Sequence, residues 1–283
     1  MRIAVIGLGN MGGALASALA RGGRDVVGWN RTAREAPVGV PVQRDLPAAV
    51  HDADLLLLVS LSYDTTRETL RPVERDLAGK TVASFCSGLP QEAEAFAAWA
   101  TALGARSTDV AIMGYPSDIG SERALFLHAG DTQLFDELQA LLAPLGPRHR
   151  HVGAGAGAAK TFDNLLLARN YAWMLGHLQA TALARASGID TTVFTDIAMD
   201  LLGPLFSNIQ RAKREIAVGT FAPATQAALD VHHKAITVVL AMAAGTSART
   251  PILKEIQDAM RRAIDAGHGD REIAACFTSF LNT

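Results

Sequence analysis

A glycine-rich turn near the N-terminus constrains the fold more than any other feature of the chain. Gly7–Gly12, with the sequence GLGNMG, directly follows the apolar run Arg2–Ile6 and leads into an amphipathic stretch over Met11–Arg21. The first glycine allows a tight turn, the second lets the backbone approach a pyrophosphate, and the third lets the helix pack on the strand. The first helical turn offers unpaired N–H groups to an anion. The turn therefore predicts a dinucleotide-binding unit; an ordinary strand-to-helix turn is the alternative.

Short apolar runs alternate with amphipathic stretches through the first half of the chain. Strands separated by helices are typical of a mainly parallel sheet with crossover connections. Helices are expected at Met11–Arg21 and Gln91–Leu103. The predicted strands are Arg2–Ile6, Asp25–Trp29, Asp54–Val59, Thr81–Phe85, Ser107–Ile112 and Ala124–Ala129.

The pattern changes from about Gly157 onward. Thr161–Ser187 is typical of one long helix, and Gly188 suits the left-handed turn that follows a helix. The remainder is rich in Ala and Leu at helical spacing. Three prolines divide it into separate helices: Pro204, Pro223 and Pro251.

The sequence thus predicts an α/β Rossmann domain and an all-α C-terminal domain joined by a long interdomain helix. The expected bounds are 1–156, 157–188 and 189–283. A helical domain this short has little room to bury its apolar faces alone, so we expect a homodimer.

Composition narrows the function classes. The 26 Lys and Arg residues nearly balance the 28 Asp and Glu residues, so no basic surface indicates a nucleic-acid partner. The two cysteines cannot form a disulfide framework, and no apolar run is long enough to span a membrane. We expect a cytoplasmic protein without a signal peptide. The basic cluster Arg148–His151 is expected to lie on a solvated surface.

The end of the second predicted strand indicates which nucleotide binds. Sites for NAD usually place a carboxylate there, which accepts hydrogen bonds from the ribose hydroxyls. This chain instead has Asn30, Arg31 and Thr32, followed by Arg34. A guanidinium pairs with a phosphate through its planar set of donors, so NADPH is the predicted cofactor. The alternative is that the arginines only solvate a loop.

Seven motifs occur in order along almost the full length of the chain. They are Gly7–Gly12, Trp29–Thr32, Ser87–Pro90, Asp109–Pro116, Ile119–Gly120, Leu229–Lys234 and Gly267–Asp270. This series resembles the β-hydroxyacid dehydrogenase superfamily, which includes 6-phosphogluconate dehydrogenase, and within it the chain is most similar to the imine reductases and reductive aminases. The resemblance implies NADPH-dependent reduction of C=N bonds, a helical domain exchanged between two subunits, and active sites at the dimer interface.

The register of the long helix separates the subfamilies. Hydroxyacid dehydrogenases of this superfamily place a Lys early in it, with Asn or Gln one turn later, and Lys160 and Asn164 imitate that pair. Counting back from Gly188 by the family's spacing reaches Asp163, whereas counting forward from the glycine-rich segment reaches Thr161. An uninterrupted helix cannot absorb an insertion without rotating its faces, so the first count is preferred. The resemblance then makes Asp163 the candidate proton-handling residue.

Tyr171 follows Asp163 by eight residues. That spacing leaves about 80° of rotation and roughly 12 Å of rise, so both side chains can line one elongated pocket. Such a pair is typical of reductive aminases. Each residue has an alternative role. Asp163 is then only a carboxylate favoured by the helix dipole, Tyr171 a core tyrosine, and Lys160 a solvated or interdomain lysine.

The resemblance also assigns the remaining site residues. Ser87 is expected near nicotinamide and substrate, or else as a simple turn residue. No metal site is expected, since His232 and His233 are adjacent and lack further ligands. The predicted pocket residues are Met113, Trp173, His232, His233 and Lys234. The predicted cofactor-binding residues are Gly7, Leu8, Gly9, Asn10, Met11, Gly12, Asn30, Arg31, Thr32, Ser60, Leu61 and Ser87.

Two other functions remain open from the sequence. An NADPH-linked dehydrogenase of β-hydroxyacids or short aldehydes would need Lys160 or Lys234 to supply the family's lysine. A non-catalytic NADPH-binding protein would bind the cofactor without turnover. The leading interpretation is reduction of small imines or iminium ions.

Overall fold

The computed structural model describes residues 1–281; Asn282 and Thr283 lie outside the description. The chain divides into two compact units, Met1–Ala168 and Arg169–Thr283. The domain bounds expected from the sequence stay a prediction.

The first unit is built on a seven-stranded sheet in the order β2-β1-β3-β4-β5-β6-β7. All neighbouring strands are parallel except β5 and β6. The strands are β1 Arg2–Ile6, β2 Asp25–Trp29, β3 Leu55–Leu58, β4 Thr81–Ser84, β5 Arg106–Met113, β6 Leu125–Gly130 and β7 Arg148–Gly153. The helices are α1 Asn10–Arg21, α2 Leu46–His51, α3 Tyr63–Leu70, α4 Pro90–Ala102 and α5 Thr132–Leu142.

The predicted α/β class and six of the strands are confirmed, each to within one residue at either end. The central strand β3 is buried along its whole length because apolar clusters cover both faces of the sheet. The carboxyl ends of β1, β2 and β3 therefore meet at one edge of a rigid sheet, where the glycine-rich turn begins.

The residues Arg148–His151 begin β7, and the expectation of a solvated surface holds for the two arginines but is wrong for the two histidines. Arg148 and Arg150 are exposed, whereas His149 and His151 are half-buried. This alternation has the period of a strand, with imidazoles in place of the usual apolar side chains. His149 stacks on Phe126 with ring centroids 4.7 Å apart.

The imidazole of His128 is 1% exposed and its Nε2 lies 2.9 Å from Nδ1 of His149. Burial, reinforced by His149 and His151, lowers the pKa of His128 to about 3. In the unfolded chain His128 binds a proton below its ordinary pKa of about 6.5, whereas in the folded chain it stays neutral down to about pH 3. The free energy of unfolding therefore decreases as the pH falls from about 6.5 towards 3.

We expect His128→Gln to reduce this acid loss of stability. Between pH 7 and pH 5, wild type should lose about 2 kcal/mol more free energy of unfolding than His128→Gln, at 1.36 kcal/mol per pKa unit. Urea unfolding at pH 7 and pH 5 measures it, with the exposed His51→Gln on α2 as the control. Equal acid losses in wild type and His128→Gln would contradict the account.

The chain after Gly157 is helical, as predicted. Helix α6 spans Ala158–Ala186, and Gly188 has the left-handed φ of +79° expected after its end. No helix among residues 1–281 is long and apolar enough to cross a membrane. The remaining helices are α7 Thr191–Asp200, α8 Leu202–Val218, α9 Leu229–Ala244 and α10 Pro251–Ala263.

Candidate active site

The turn Gly7–Gly12 requires glycine at two positions for steric reasons within the protein. Gly7 has a φ of +104°, and a Cβ on it would collide with the carbonyl oxygen of Val59. A Cβ on Gly12 would collide with the carbonyl oxygen of Gly7. These contacts bring α1 close to β1 and β3.

Gly9 is different, because a Cβ on it would meet no atom of residues 1–281 within 4 Å, apart from its own neighbours along the chain. Gly9 lines an open cleft of about 300 Å³ at the edge of the sheet. Glycine at position 9 therefore keeps the cleft open and is not required by packing within the protein. A pyrophosphate can approach the backbone here, at the start of α1.

Asn30 joins the glycine-rich turn to the end of β2. Its Oδ1 accepts a hydrogen bond from the backbone N of Leu8 at 2.9 Å, and its Nδ2 donates to the carbonyl of Thr32 at 2.8 Å. Asn30 thus holds two sides of the cleft together. Asn30, Arg31 and Thr32 all line this cleft, and the sequence predicted that all three belong to one cofactor site.

The side chains around the cleft suit a phosphate. Arg31, Thr32 and Arg34 line it, and the described lining contains no carboxylate. A second cavity beside it, of about 490 Å³, is lined by the same three residues together with Arg44. Guanidinium and hydroxyl donors without a competing carboxylate fit the 2′-phosphate of NADPH.

The β3–α3 connection forms another wall of the cleft. Ser60 and Leu61 both line it, as expected. Ser60 Oγ is held by the carbonyl of Ser62 at 2.8 Å and by Thr66 Oγ1 at 2.6 Å. Sequence reasoning missed the threonines of α3 that complete this wall, which are Thr65, Thr66 and Thr69. Their helical spacing after the N-cap Ser62 is the signal that could have found them.

Three further residues of the predicted cofactor set, Leu8, Asn10 and Met11, lie where the turn leads into α1. Leu8 and Asn10 line a neighbouring cavity together with Gly9. Met11 packs, half-buried, against the apolar cluster on that face of the sheet. Met11 therefore helps to pack α1 on the sheet.

Replacing Gly9 with Ala is expected to weaken NADPH binding about tenfold, or about 1.4 kcal/mol, because the methyl group occupies the cleft. The melting temperature of the cofactor-free protein should stay unchanged. Gly12→Ala is the matched contrast, since its collision lies inside the protein and should lower that temperature. Isothermal titration and thermal melts test the pair. Unchanged affinity in Gly9→Ala would contradict the assignment.

Helix α6 presents a carboxylate in its first two turns. Asp163 is half-buried, and burial raises the pKa of its carboxyl group above the ordinary aspartate value, opposed in part by Lys160. Asn164 Nδ2 donates to the carbonyl of Gly88 at 3.3 Å, which brings the Ser87–Pro90 loop beside this part of the helix.

Of the two alternatives offered for Lys160, the solvated lysine is wrong. Its side chain is 1% exposed and lies inside the first unit. The Nζ atom lies 3.4 Å from Oδ2 of Asp109 and donates to the carbonyl of Val110 at 3.1 Å. Two acceptors on β5 therefore account for its burial.

Two further predicted residues of the first unit lie near α6 or the end of β4. Ser87 is exposed and follows β4, and it does not line the cofactor cleft. Met113 ends β5, where it packs against the same small apolar cluster as Leu166 of α6. Both stay predictions as substrate-facing residues.

The other five predicted residues belong to the second unit. Tyr171 is 60% exposed and Trp173 is 49% exposed on α6. On α9, His232 lines a small cavity of about 70 Å³ within the helical unit, His233 Nδ1 lies 3.5 Å from Arg261, and Lys234 is exposed. Among residues 1–281, no group of three His, Cys, Asp or Glu could hold a metal ion.

Comparison with known proteins gives a consistent result over both units. Residues 2–153 match the NAD binding domain of 6-phosphogluconate dehydrogenase, and residues 155–281 match the NADPH-dependent reductive aminase-like C-terminal domain. A curated NADPH-dependent reductive aminase from Aspergillus oryzae is 28% identical, over 98% of this chain and 96% of its own length.

Solved structures agree over the whole chain. An imine reductase from Myxococcus stipitatus in complex with NADP⁺ has a TM-score of 0.92 and 29% identity, covering 99% of this chain and all of that one. A reductive aminase from Aspergillus terreus in complex with NADPH and ethyl levulinate has a TM-score of 0.91 and 28% identity, covering 99% of both chains.

Proposed function

This chain belongs to the imine reductase and reductive aminase family, within the β-hydroxyacid dehydrogenase superfamily, and on that premise we propose that Asp163 handles the proton during reduction of an imine. The enzyme is an NADPH-dependent oxidoreductase that reduces C=N bonds to amines. When bound, NADPH supplies the hydride that adds to the imine carbon. The observation that carries the proposal is the half-buried Asp163 at the border of the buried face of α6, with Lys160 buried against β5.

The reaction needs one proton on nitrogen for each hydride on carbon. A neutral imine must receive this proton, and a preformed iminium ion already carries it. Burial raises the pKa of Asp163, so a larger fraction of the carboxyl groups is protonated near neutral pH than for an exposed aspartate. In its ionised form the same group attracts an iminium ion by charge. Both states therefore favour a nitrogen substrate.

The arrangement of the lysines does not favour a hydroxyacid dehydrogenase. That function needs a lysine that exchanges a proton with the substrate oxygen. The ammonium group of Lys160 is buried and bound to Asp109 and to the backbone of Val110. The other candidate, Lys234, is an exposed residue of α9.

The proposed substrates are small cyclic imines and preformed iminium ions. Purified protein should oxidise NADPH with 1-pyrroline at a kcat/KM at least tenfold above that for a short aldehyde or a β-keto acid. Preferential turnover of the carbonyl compounds would support the dehydrogenase instead. Tight NADPH binding without turnover of any of these compounds would support a non-catalytic binding protein.

We further propose a homodimer formed through the helical unit. Many large apolar side chains of this unit are exposed in the single chain, more than an isolated protein usually leaves in water. They include Leu178, Ile197, Leu201, Val218, Val238 and Phe280. Sedimentation equilibrium at micromolar concentration should give twice the chain mass, and a monomer would contradict the proposal. The cytoplasmic location stays a prediction.

A further inference from the structure

Three buried polar side chains from separate elements meet under the first turn of α6. Tyr63 of α3 donates from Oη to Oδ1 of Asp109 on β5 at 2.5 Å. Asp109 Oδ2 lies 3.4 Å from Lys160 Nζ of α6. The exposed fractions are 3%, 4% and 1%, respectively, so the cluster is closed to solvent.

Such a cluster is costly to bury unless its charges are paired. Burial raises the pKa of Asp109 to about 6, against the opposing effects of Lys160 and Tyr63, so the carboxylate is charged at neutral pH. The carbonyl of Val110 provides a second acceptor for Lys160. Because stability alone is served equally well by apolar side chains, the pair is a candidate for a more specific role.

Helix geometry connects this cluster to the proton-handling group. Asp163 follows Lys160 by three residues, which corresponds to about 60° of rotation and about 4.5 Å of rise. When Lys160 points into β5, Asp163 must therefore lie at the border of the buried face, and it is half-buried. A rotation of the first turn would bury the carboxylate or expose it.

We infer that Lys160 is a positioning residue that fixes the first turn of α6 on β5 and thereby sets the direction and surroundings of the Asp163 carboxylate. This inference rests on the proposed role of Asp163 and adds the residue that orients it. Lys160 itself is 1% exposed and does not line the cofactor cleft.

The surroundings of the first turn contain few charges. The helix contributes Lys160, β5 contributes Asp109, and α3 contributes the phenol of Tyr63. From α4, Glu94 approaches the start of the helix, where a Cβ on Gly157 would lie 2.8 Å from its Oε1. Lys160 is the cation in this set, and it alone opposes the effect of burial on the pKa of Asp163.

The test separates positioning from stability with a charge-neutral pair of substitutions. Lys160→Met alone leaves Asp109 without its cation and should lower the melting temperature. The double variant Lys160→Met/Asp109→Asn removes both charges and should recover most of that loss. With the 1-pyrroline assay, the double variant should still show a kcat at least tenfold below wild type, with an unchanged KM for NADPH.

A second readout does not depend on activity. Titration of ¹³C-labelled aspartate carboxyl groups by NMR, assigned with Asp163→Asn, should give a higher pKa for Asp163 in the double variant than in wild type. Lys80→Met is the matched control, because Lys80 also donates to two backbone carbonyls, those of His51 and Ala53, but lies before β4 and not on α6. This control should leave the Asp163 titration unchanged.

The outcomes are distinct. If the double variant regains the wild-type melting temperature, kcat and Asp163 titration, Lys160 is only a structural residue and the inference is wrong. If wild type does not reduce imines, the proposed function fails, whereas the NMR titration still decides whether Lys160 controls the surroundings of Asp163.

Discussion

Asp163→Asn is expected to lower kcat for imine reduction by about 10²- to 10⁴-fold, the usual contribution of a positioned general acid or base. Asparagine has nearly the same shape but cannot exchange a proton at neutral pH or attract an iminium ion by charge. The Kd for NADPH should change less than twofold, because Asp163 does not line the cofactor cleft. Steady-state kinetics and cofactor titration measure the two effects separately.

The pH profile provides a further check on Asp163. Burial raises the pKa of this group, so the wild-type profile should contain an ionisation above the ordinary aspartate value that is lost in Asp163→Asn. Asp136→Asn on the exposed face of α5 serves as the control and should keep full activity. An Asp163→Asn variant with more than a third of the wild-type kcat would rule out the proposed role.

Arg31→Ala is expected to raise the KM for NADPH about 100-fold and that for NADH less than threefold. A charge-assisted pair with the 2′-phosphate contributes about 1.5–3 kcal/mol, and NADH lacks that phosphate. Among residues 1–281, no carboxylate lines the cleft to favour the ribose hydroxyls of NADH. The preference for NADPH over NADH, measured as the ratio of the two KM values, should therefore fall by more than about 30-fold.

Arg150→Ala on β7 is the control for this substitution, since Arg150 is exposed and lies on a strand away from the cleft. It should leave both KM values unchanged. Equal losses with NADPH and NADH in Arg31→Ala would mean that Arg31 acts on the shared part of the cofactor or on the loop itself.

The sequence predicted the strands well where burial makes them continuously apolar. The bounds of β1 and β2 were correct, and the ends of β3 and β4 differed by one residue. It failed at β7, because Arg148–His151 reads as a hydrophilic cluster. Only the structure shows that His149 stacks on Phe126 and that half of the strand is inside.

The candidate site was predicted unevenly for a physical reason. Residues of the glycine-rich turn and of Asn30–Thr32 are close in sequence to the elements that position them, so local patterns identified them. The environment of Lys160 could not be predicted, because its partner Asp109 is 51 residues away on another element. An aspartate inside the predicted strand Ser107–Ile112 was the available signal that a buried cation lies nearby.

An isotope label on NADPH shows whether its hydride reaches the imine carbon. Wild-type protein is incubated with 1-pyrroline and NADPH carrying two deuterium atoms at C4, and the products are analysed by mass spectrometry and NMR. The expected product is pyrrolidine with one deuterium, located on the carbon of the former C=N bond. Oxidation of the labelled NADPH without deuterium in the amine, or deuterium transfer only to a carbonyl substrate, would contradict it.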